Sequence, residues 1–386
     1  MKPDGPKISE WRLLLTDPWL CSLVTWLFPA ISLVVYAIFS QGLARDLPIG
    51  IVDLDHSQLS RTMAGYYDAS PTLAVNHVYP SPADGIAAMR SGEIYGLIIF
   101  PVNLEKNAIL GNPPQVDAYY NSQFLLIGKL VKSAILQAHA TAAAGVDTMK
   151  NLGSGMVVMG QAMAAAVPVS SQMTPLFNSN NNYAQFLLSA IIPAIWQIFI
   201  VVTTVLTIAK ELRREGLAAW LAPNPLAALI KKLAPCTLLF WLHGTLFLLA
   251  MTVVGWPMHG DPGFLIFCQL LTVLGCQAMG ALIFFLSRDP ARSLGLAAAY
   301  AAPGLAFMGV TFPATDMTLP ARIWRSLLPV SHYIDIQIAQ VNYGIPPSQA
   351  RPLVENLLLF IIPAILTLLL AVRTMNRGPA TGEAGI

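Results

Sequence analysis

Charged side chains are scarce in this chain. Asp, Glu, Lys and Arg make up 11 % of its 386 residues, hydrophobic residues make up 55 %, and the mean hydropathy is +0.60. A soluble globular domain carries about 25 % charged residues. This shortage excludes an ordinary soluble protein, and with a net charge of only +2 no nucleic-acid partner is expected. We therefore predict an α-helical multi-pass membrane protein.

Six apolar stretches are long enough to cross a bilayer, and a polar segment of over 140 residues separates the first from the second. At a rise of 1.5 Å per residue, stretches of about 20 to 26 residues reach about 30 to 39 Å. A hydrocarbon core is about 30 Å thick. The predicted transmembrane helices cover residues 18–39, 184–209, 233–254, 264–286, 293–312 and 353–372.

Asp, Glu, Lys and Arg are missing from the interior of these stretches, and Glu355 lies near the end of the sixth. Ion-driven carriers keep such groups near the membrane midplane because the groups bind the coupling ion. An ion-coupled drug carrier is therefore the weakest interpretation. His243 lies inside the third stretch, where it either forms a hydrogen bond across helices or contacts a substrate.

A phosphate-binding loop of the Walker A type is also missing. Such a loop places Gly-Lys five residues after a first glycine and ends in Ser or Thr. The one Gly-Lys pair of the chain, Gly128 and Lys129, has Gln123 at the first glycine position and Leu130 at the last. We expect no intrinsic ATP hydrolysis and no cofactor, so any ATP-driven work needs another polypeptide.

Sulfur-bearing residues give the polar segment no disulfide scaffold. Met156, Met159 and Met163 recur at helical spacing, which suits either soft copper ligands or, as we favour, a packing face. All cysteines fall within predicted spans, so none can crosslink the polar segment, and we expect them to pack in the membrane. They are Cys21, Cys236, Cys268 and Cys276.

The polar segment 40–183 alternates predicted strands with predicted helices, which is typical of an inserted α/β domain. Asp53, Asp55 and His56 follow its first strand and suit either a divalent cation or, as we favour, a helix cap by Asp55 or Ser57. The predicted strands cover 49–54, 72–75, 94–100 and 116–120; the predicted helices cover 57–67, 83–90, a long helix over 124–152 and a further stretch up to Ala166.

The distribution of Lys and Arg predicts the orientation. With the N-terminus inside, the inner segments hold 12 of the 22 basic residues in about 60 residues of chain. We expect residues 1–17 and 373–386 in the cytoplasm, 40–183 outside, and the protein in the inner (plasma) membrane. Residues 8–15 predict either a short interfacial helix or a cytoplasmic extension of span one. The apolar face of that helix carries Ile8, Trp11, Leu14 and Leu15.

Several stretches carry a resemblance to a known family. They are 14–20 (LLTDPWL), 47–61 (LPIGIVDLDHSQLSR), 87–101 (AAMRSGEIYGLIIFP), 119–124 (YYNSQF), 175–188 (PLFNSNNNYAQFLL) and 311–335 (TFPATDMTLPARIWRSLLPVSHYID). Together they resemble the permease subunit of an ABC-2 type exporter, in the subgroup with a large extracytoplasmic domain between spans one and two. The last stretch is similar to the outer segment that precedes the final span of that family.

The stretch 210–223 (KELRREGLAAWLAP) is similar to the coupling region of such permeases. It departs from their pattern at Leu217 and Ala219, where Thr and Glu usually stand. We expect an amphipathic cytoplasmic helix here. The resemblance implies that an ATPase contacts Glu211, Arg213, Arg214, Glu215, Gly216, Leu217 and Trp220, next to an elbow helix with Trp11, Arg12 and Asp17.

The resemblance implies an export cycle. Two permease subunits, identical or homologous, pair above two ABC ATPase subunits that use ATP and Mg, and a periplasmic adaptor is compatible with the outer domain. The substrate is a hydrophobic or amphipathic drug, lipid or envelope component. The main alternative is a membrane-anchored scaffold or receptor that binds an envelope partner through the outer domain without transport.

The orientation predicts which residues face each side of the membrane. Cysteines introduced at Ser81 and Ala218 should react with an impermeant thiol reagent from opposite sides. Labelling of both positions from the same side would overturn the topology.

Overall fold

The computed structural model describes residues 10–153, 158–167, 176–178 and 182–377. Contacts divide the chain into two compact units, Met1–Gly42 with Pro175–Ile386, and Leu43–Thr174. The first unit is helical and the second contains the strands of the described chain. Ile8, Met156 and most of the predicted tail 373–386 lie outside the described residues.

Three short helices open the described chain: α1 (Glu10–Thr16), α2 (Pro18–Val24) and α3 (Leu27–Phe39). Asp17 separates the first two, because its side chain accepts hydrogen bonds from the backbone N–H groups of Trp19 and Leu20 at the start of α2. Pro18 fits at this first helical position, where an N–H has no partner to lose. The helix α1 is therefore separate and does not extend the first span.

The helices α2 and α3 meet at a bend of 47°. The break falls at Thr25 and Trp26, shortly before Pro29. A proline ring clashes with the carbonyl four residues earlier, so Pro29 is tolerated only in the first turn of the helix that it begins. The predicted span 18–39 is thus a bent pair of helices.

The second unit holds one four-stranded sheet in the order β2-β1-β3-β4. Strand β1 runs parallel to β2 and β3, and β4 runs antiparallel to β3. The elements are β1 (Leu47–Asp53), α4 (Gln58–Asp68), β2 (Leu73–Tyr79), α5 (Pro82–Ser91), β3 (Gly96–Phe100), α6 (Leu104–Leu110), β4 (Asp117–Tyr120), α7 (Leu125–Gly153) and α8 (Met159–Ala166).

Both faces of this sheet are apolar. Ile49 and Ile51 of β1 pack in one cluster with Tyr67 of α4, whereas Val52 packs in another with Ala88 of α5. Successive side chains of a strand point to opposite faces, so one continuous apolar run such as that of β1 supplies two cores.

The rest of the first unit is helical, and the fifth predicted span is described separately below. By length and apolar composition, four helices of the described chain can cross a membrane, with Arg351–Asn376 counted as one, and the bent pair α2 and α3 makes a fifth. The elements are α9 (Tyr183–Arg214), α10 (Leu217–Leu221), α11 (Pro225–Val253), α12 (Pro262–Ser287), α13 (Pro290–Ala301), α14 (Gly304–Phe307), a 3₁₀ turn (Ala314–Asp316), α15 (Leu319–Ser326), α16 (Pro329–Val341), α17 (Arg351–Leu358) and α18 (Ile361–Asn376).

The predicted span 293–312 is not one continuous helix. The helix α13 ends at Ala301 after 12 residues, about 18 Å, and α14 adds only four residues. Pro303 stands at the break, where it lacks the N–H that would continue the helix. Gly309 then adopts a φ of 83°, in the left-handed region that favours glycine and ends helices.

The helix α16 is buried along nearly its whole length, although it belongs to the stretch that the resemblance placed outside the membrane. Side-chain amides hold it in place. Gln197 of α9 accepts a hydrogen bond from the backbone N–H of Val330 (3.1 Å), Gln269 of α12 donates to the Tyr333 hydroxyl (2.8 Å), and Gln337 donates to a carbonyl of α9 (2.8 Å). These bonds replace hydrogen bonds that hydrocarbon cannot supply.

The helices α9 and α12 approach each other closely at Gly280. A Cβ placed on this glycine would lie 2.9 Å from the backbone oxygen of Val201 and 3.1 Å from Cβ of Thr204. Small residues allow such contacts between membrane helices. A side chain at this position must push the two helices apart.

We expect Gly280→Ala to destabilise the bundle by about 1 to 3 kcal/mol, because the new methyl overpacks a contact between two backbones. Gly295→Ala is the matched control, since a Cβ there meets nothing within 4 Å. Thermal unfolding of the detergent-solubilised variants measures the effect. Equal melting temperatures for the two variants would contradict close packing at Gly280.

Candidate coupling site

Five helix ends meet at one end of the first unit. They are α1, the start of α2, the end of α9, α10 and the start of α11. Both the elbow residues and the stretch 210–223 singled out in the sequence lie here. The structure thus brings the two halves of the predicted site together, although 193 residues separate Asp17 from its partner Lys210.

Lys232 of α11 is the most deeply buried cation of this site, with 4 % of its surface exposed. Its ammonium group donates to the carboxylate of Glu10 in α1 at 2.8 Å and to that of Glu211 in α9. Glu211 is itself only 2 % exposed. Because a buried charge is tolerated only when it is paired, these three side chains tie α1, α9 and α11 to one another.

A second ion pair joins α9 to the start of α2. Lys210 donates to the Asp17 carboxylate at 3.2 Å and to the backbone oxygen of Leu13 at 3.0 Å. Partial burial opposes ionisation of Asp17, but the hydrogen bond from the Leu20 N–H and the contact with Lys210 outweigh it and lower the pKa of this carboxyl group. Asp17 is therefore a cap and an ion-pair partner at once.

The two arginines at the end of α9 have different surroundings. Arg214 pairs with Glu215 at 3.1 Å and lies 3.8 Å from Glu211. Arg213 is exposed and forms no ion pair with any residue that the structure describes. It lines a groove of about 690 Å³ between α2 and α9, together with Trp19. Arg213 is thus the arginine that is free to meet another chain.

The predicted single helix over 210–223 is two pieces. Gly216 has a φ of 76°, which a continuing helix does not allow, and it separates the end of α9 from the five residues of α10. Leu217 and Leu221 are buried in the bundle, and Trp220 packs against the same core. These apolar residues stabilise the permease itself, which leaves the charged end of α9 as the accessible part.

The predicted elbow helix is likewise only partly exposed. A helix is present at Glu10–Thr16, with Trp11 and Arg12 exposed. Leu14 is buried in the core of the helical unit. The helix therefore packs one side onto the bundle and leaves its tryptophan and arginine available to solvent, membrane or partner.

The polar cluster after β1 caps a helix. Asp53 accepts hydrogen bonds from the backbone N–H groups of Asp55 (3.0 Å) and His56 (2.9 Å), and Ser57 accepts one from that of Ser60 (3.0 Å) as the N-cap of α4. The described residues contain no group of three or more His, Cys, Asp or Glu that could hold a metal ion. The capping interpretation is confirmed by these bonds.

The sulfur-bearing residues differ in outcome. All cysteines are free, and Cys236, Cys268 and Cys276 are buried in the helical core as expected. Met159 and Met163 are exposed on α8, so the expected packing face was wrong for these two. Their neighbour on the inner side of α8 is Ala162, which is buried.

Residues 19–373 match the model of a family described as ABC-2 family transporter protein. The chain belongs to this family. The match runs from α2 to α18 and includes the whole stretch 210–223, while α1 lies outside it. As an ABC-2 permease, the chain is a multi-pass membrane subunit of an ABC transporter, and its family implies a partnering ABC ATPase. No curated protein matches the chain.

Sequence reasoning missed the partners of Lys232. The hydropathy pattern counted this lysine among the inner loop charges, whereas α11 begins at Pro225 and carries it into the buried bundle. Two signals were available. Glu211 follows shortly after an apolar span, and Glu10 lies in the predicted interfacial helix over residues 8–15. Neither signal identifies which lysine they meet.

We expect Lys232→Met to destabilise the protein by about 3 to 5 kcal/mol, because it leaves Glu211 buried without its cation. Lys231→Met is the matched control, since the neighbouring lysine is exposed. Thermal unfolding in detergent measures both variants.

The double variant Glu211→Gln with Lys232→Met distinguishes charge from packing. It should recover part of the lost stability, because neither helix then buries an unpaired charge. If Lys232→Met unfolds at the same temperature as the control, the ion contacts do not hold the helices together.

Proposed function

We propose that this ABC-2 permease belongs to an exporter that moves a hydrophobic or amphipathic substrate outward, driven by a separate ATPase bound at the candidate coupling site. The buried contacts of Lys232 with Glu10 and Glu211 are the observation that carries the proposal. These contacts join the elbow helix, α9 and α11, so the three helices move together when a partner acts on this end.

The groove beside Arg213 supplies the contact surface. It presents an exposed cation and exposed tryptophan rings, a combination suited to an acidic and apolar partner surface. From this end α9 extends for 32 residues, about 48 Å, so a displacement at Arg213 is transmitted along a helix that spans the whole membrane. The interior of α9 is buried on most of its faces, which favours movement of neighbouring helices with it.

We propose that this end faces the cytoplasm, with both termini inside and Leu43–Thr174 outside the inner membrane. Five spans would place the termini on opposite sides, so this orientation requires a further crossing. The broken segment of α13 and α14 supplies it: together they cover residues 290–307, about 27 Å at helical rise. The Tyr300 hydroxyl of α13 donates a hydrogen bond to the carbonyl of Leu327 at 2.7 Å, shortly before the buried α16, which supports a segment that enters the bundle.

Two further proposals concern the assembly. Two copies of the permease, or this chain with a homologue, pair above two ATPase subunits, and the α/β unit outside is available to an adaptor. The chain itself hydrolyses no ATP, because it has no Walker A loop. The ATP and Mg of the cycle are bound by the partner.

Reversing Arg213 tests the contact. We expect Arg213→Glu to weaken ATPase binding roughly tenfold or more, since a charge-assisted hydrogen bond contributes about 1.5 to 3 kcal/mol. Arg214 is unsuitable for the same test, because its reversal would place a third carboxylate beside Glu211 and Glu215. Quantifying ABC ATPase co-purified with the tagged permease from its native membrane measures binding.

Arg292→Glu is the matched control, because this exposed arginine at the start of α13 is predicted on the same side of the membrane and lies outside the groove. The control should assemble as the unaltered chain does. Normal assembly and normal substrate-stimulated ATP hydrolysis with Arg213→Glu would move the contact to Trp11 and Arg12 of the elbow helix.

A further inference from the structure

A cavity of about 320 Å³ lies between α3, α9 and α11, at the other end of α11 from Lys232. Phe28 and Ile192 form its buried inner wall. Leu33 and Leu246 form its outer wall and are exposed on the surface of the helical unit. A cavity with such an outer wall is open to the apolar phase around the spans, and its size suits a small molecule.

His243 is fixed in this cavity by its neighbours. It is 7 % exposed, and its ring packs against those of Phe28 and Phe240 at centroid distances of 5.4 and 5.9 Å. The backbone oxygen of Thr25 lies near the imidazole and favours a proton on the ring. This carbonyl belongs to the break between α2 and α3, where no N–H group of a helix forms a hydrogen bond with it.

Two buried polar atoms of the cavity residues lack a partner within the described chain. They are Nδ1 of His243 and Oγ of Ser32. A neutral imidazole with its proton on Nε2 keeps an accepting lone pair on Nδ1. An unmade hydrogen bond in an apolar medium is costly, so both atoms favour a ligand that supplies the missing partner.

A second apolar groove has no such unpartnered atom among the described residues that line it. It has about 900 Å³ and lies between α11, α12 and α18. Its polar residues Thr237, Trp241, Gln277 and Thr367 all form hydrogen bonds with the protein. That groove offers a ligand only apolar contact, whereas the cavity at His243 also offers unmet hydrogen bonds.

We propose that the cavity binds an uncharged, mostly apolar molecule with one hydroxyl or N–H group, which donates to Nδ1 of His243 and contacts the hydroxyl of Ser32. The apolar body of the molecule lies against Phe28 and Ile192. Charged ligands are excluded, since every residue in the described lining is uncharged. The molecule enters between Leu33 and Leu246 from the bilayer. Binding requires no ATPase, so the proposal stands apart from the proposed export cycle.

A matched pair of probes tests the hydrogen bond. Purified permease in lipid nanodiscs should bind tritiated 4-nonylphenol about three- to thirtyfold more tightly than tritiated nonylbenzene, after subtraction of uptake by empty nanodiscs. His243→Phe keeps an aromatic ring between Phe28 and Phe240 but removes the acceptor. It should abolish the difference between the probes.

A second pair of variants tests the place without altering the buried histidine. Leu246→Trp should block the outer wall and reduce nonylphenol binding to the level of empty nanodiscs. Leu242→Trp is the control, because Leu242 lies one turn earlier on α11, is also 48 % exposed, and does not line the cavity. Equal binding of the two probes by the unaltered protein, or unchanged binding by Leu246→Trp, would overturn the proposal.

Discussion

The ammonium group of Lys232 is buried away from water and pairs with two carboxylates. This contact fixes how the helices at one end of the bundle are arranged. A lone charge in this position would cost several kcal/mol of desolvation. Glu211 and Glu10 come from two other helices, so the charge is stable only while all three helices stay in register. The more exposed ion pair of Lys210 and Asp17 orients the start of α2 beside α9, but it stabilises the fold less.

The cost of burying a polar group without a partner also governs the apolar part of the unit. Hydrocarbon accepts and donates no hydrogen bonds, so each buried amide or hydroxyl must find a partner within the protein. Gln197, Gln269 and Gln337 meet part of this requirement, because one end of each amide forms a hydrogen bond with α16 or across it to α9. These bonds help a helix that bears several polar residues to be buried in the helical unit. His243 and Ser32 each keep a buried polar atom without a partner in the described chain, and both residues line the apolar cavity.

The two sites are connected by one helix. Lys232 and His243 lie 11 residues apart on α11, about 16 Å along its axis. In the proposed export cycle, movement of the ion-linked end would therefore displace a wall of the apolar cavity. This arrangement gives a physical route by which events at the end of the bundle reach a ligand held within it, and it needs no charged residue inside the membrane.

The sequence by itself determined the class of the protein, the position of most spans and the secondary structure of the polar segment apart from α6, because these depend on local hydropathy, periodicity and capping. The apolar length of α9 and the strand run of β1 are visible without any knowledge of their neighbours. The tertiary structure alone decided that Pro303 and Gly309 break the fifth span, that Leu217 and Trp220 face the bundle, and that Lys232 meets Glu10. Each of these depends on which distant residue fills the space beside it, and the free energy of a buried charge or a helix break is set by that neighbour, which no local pattern specifies.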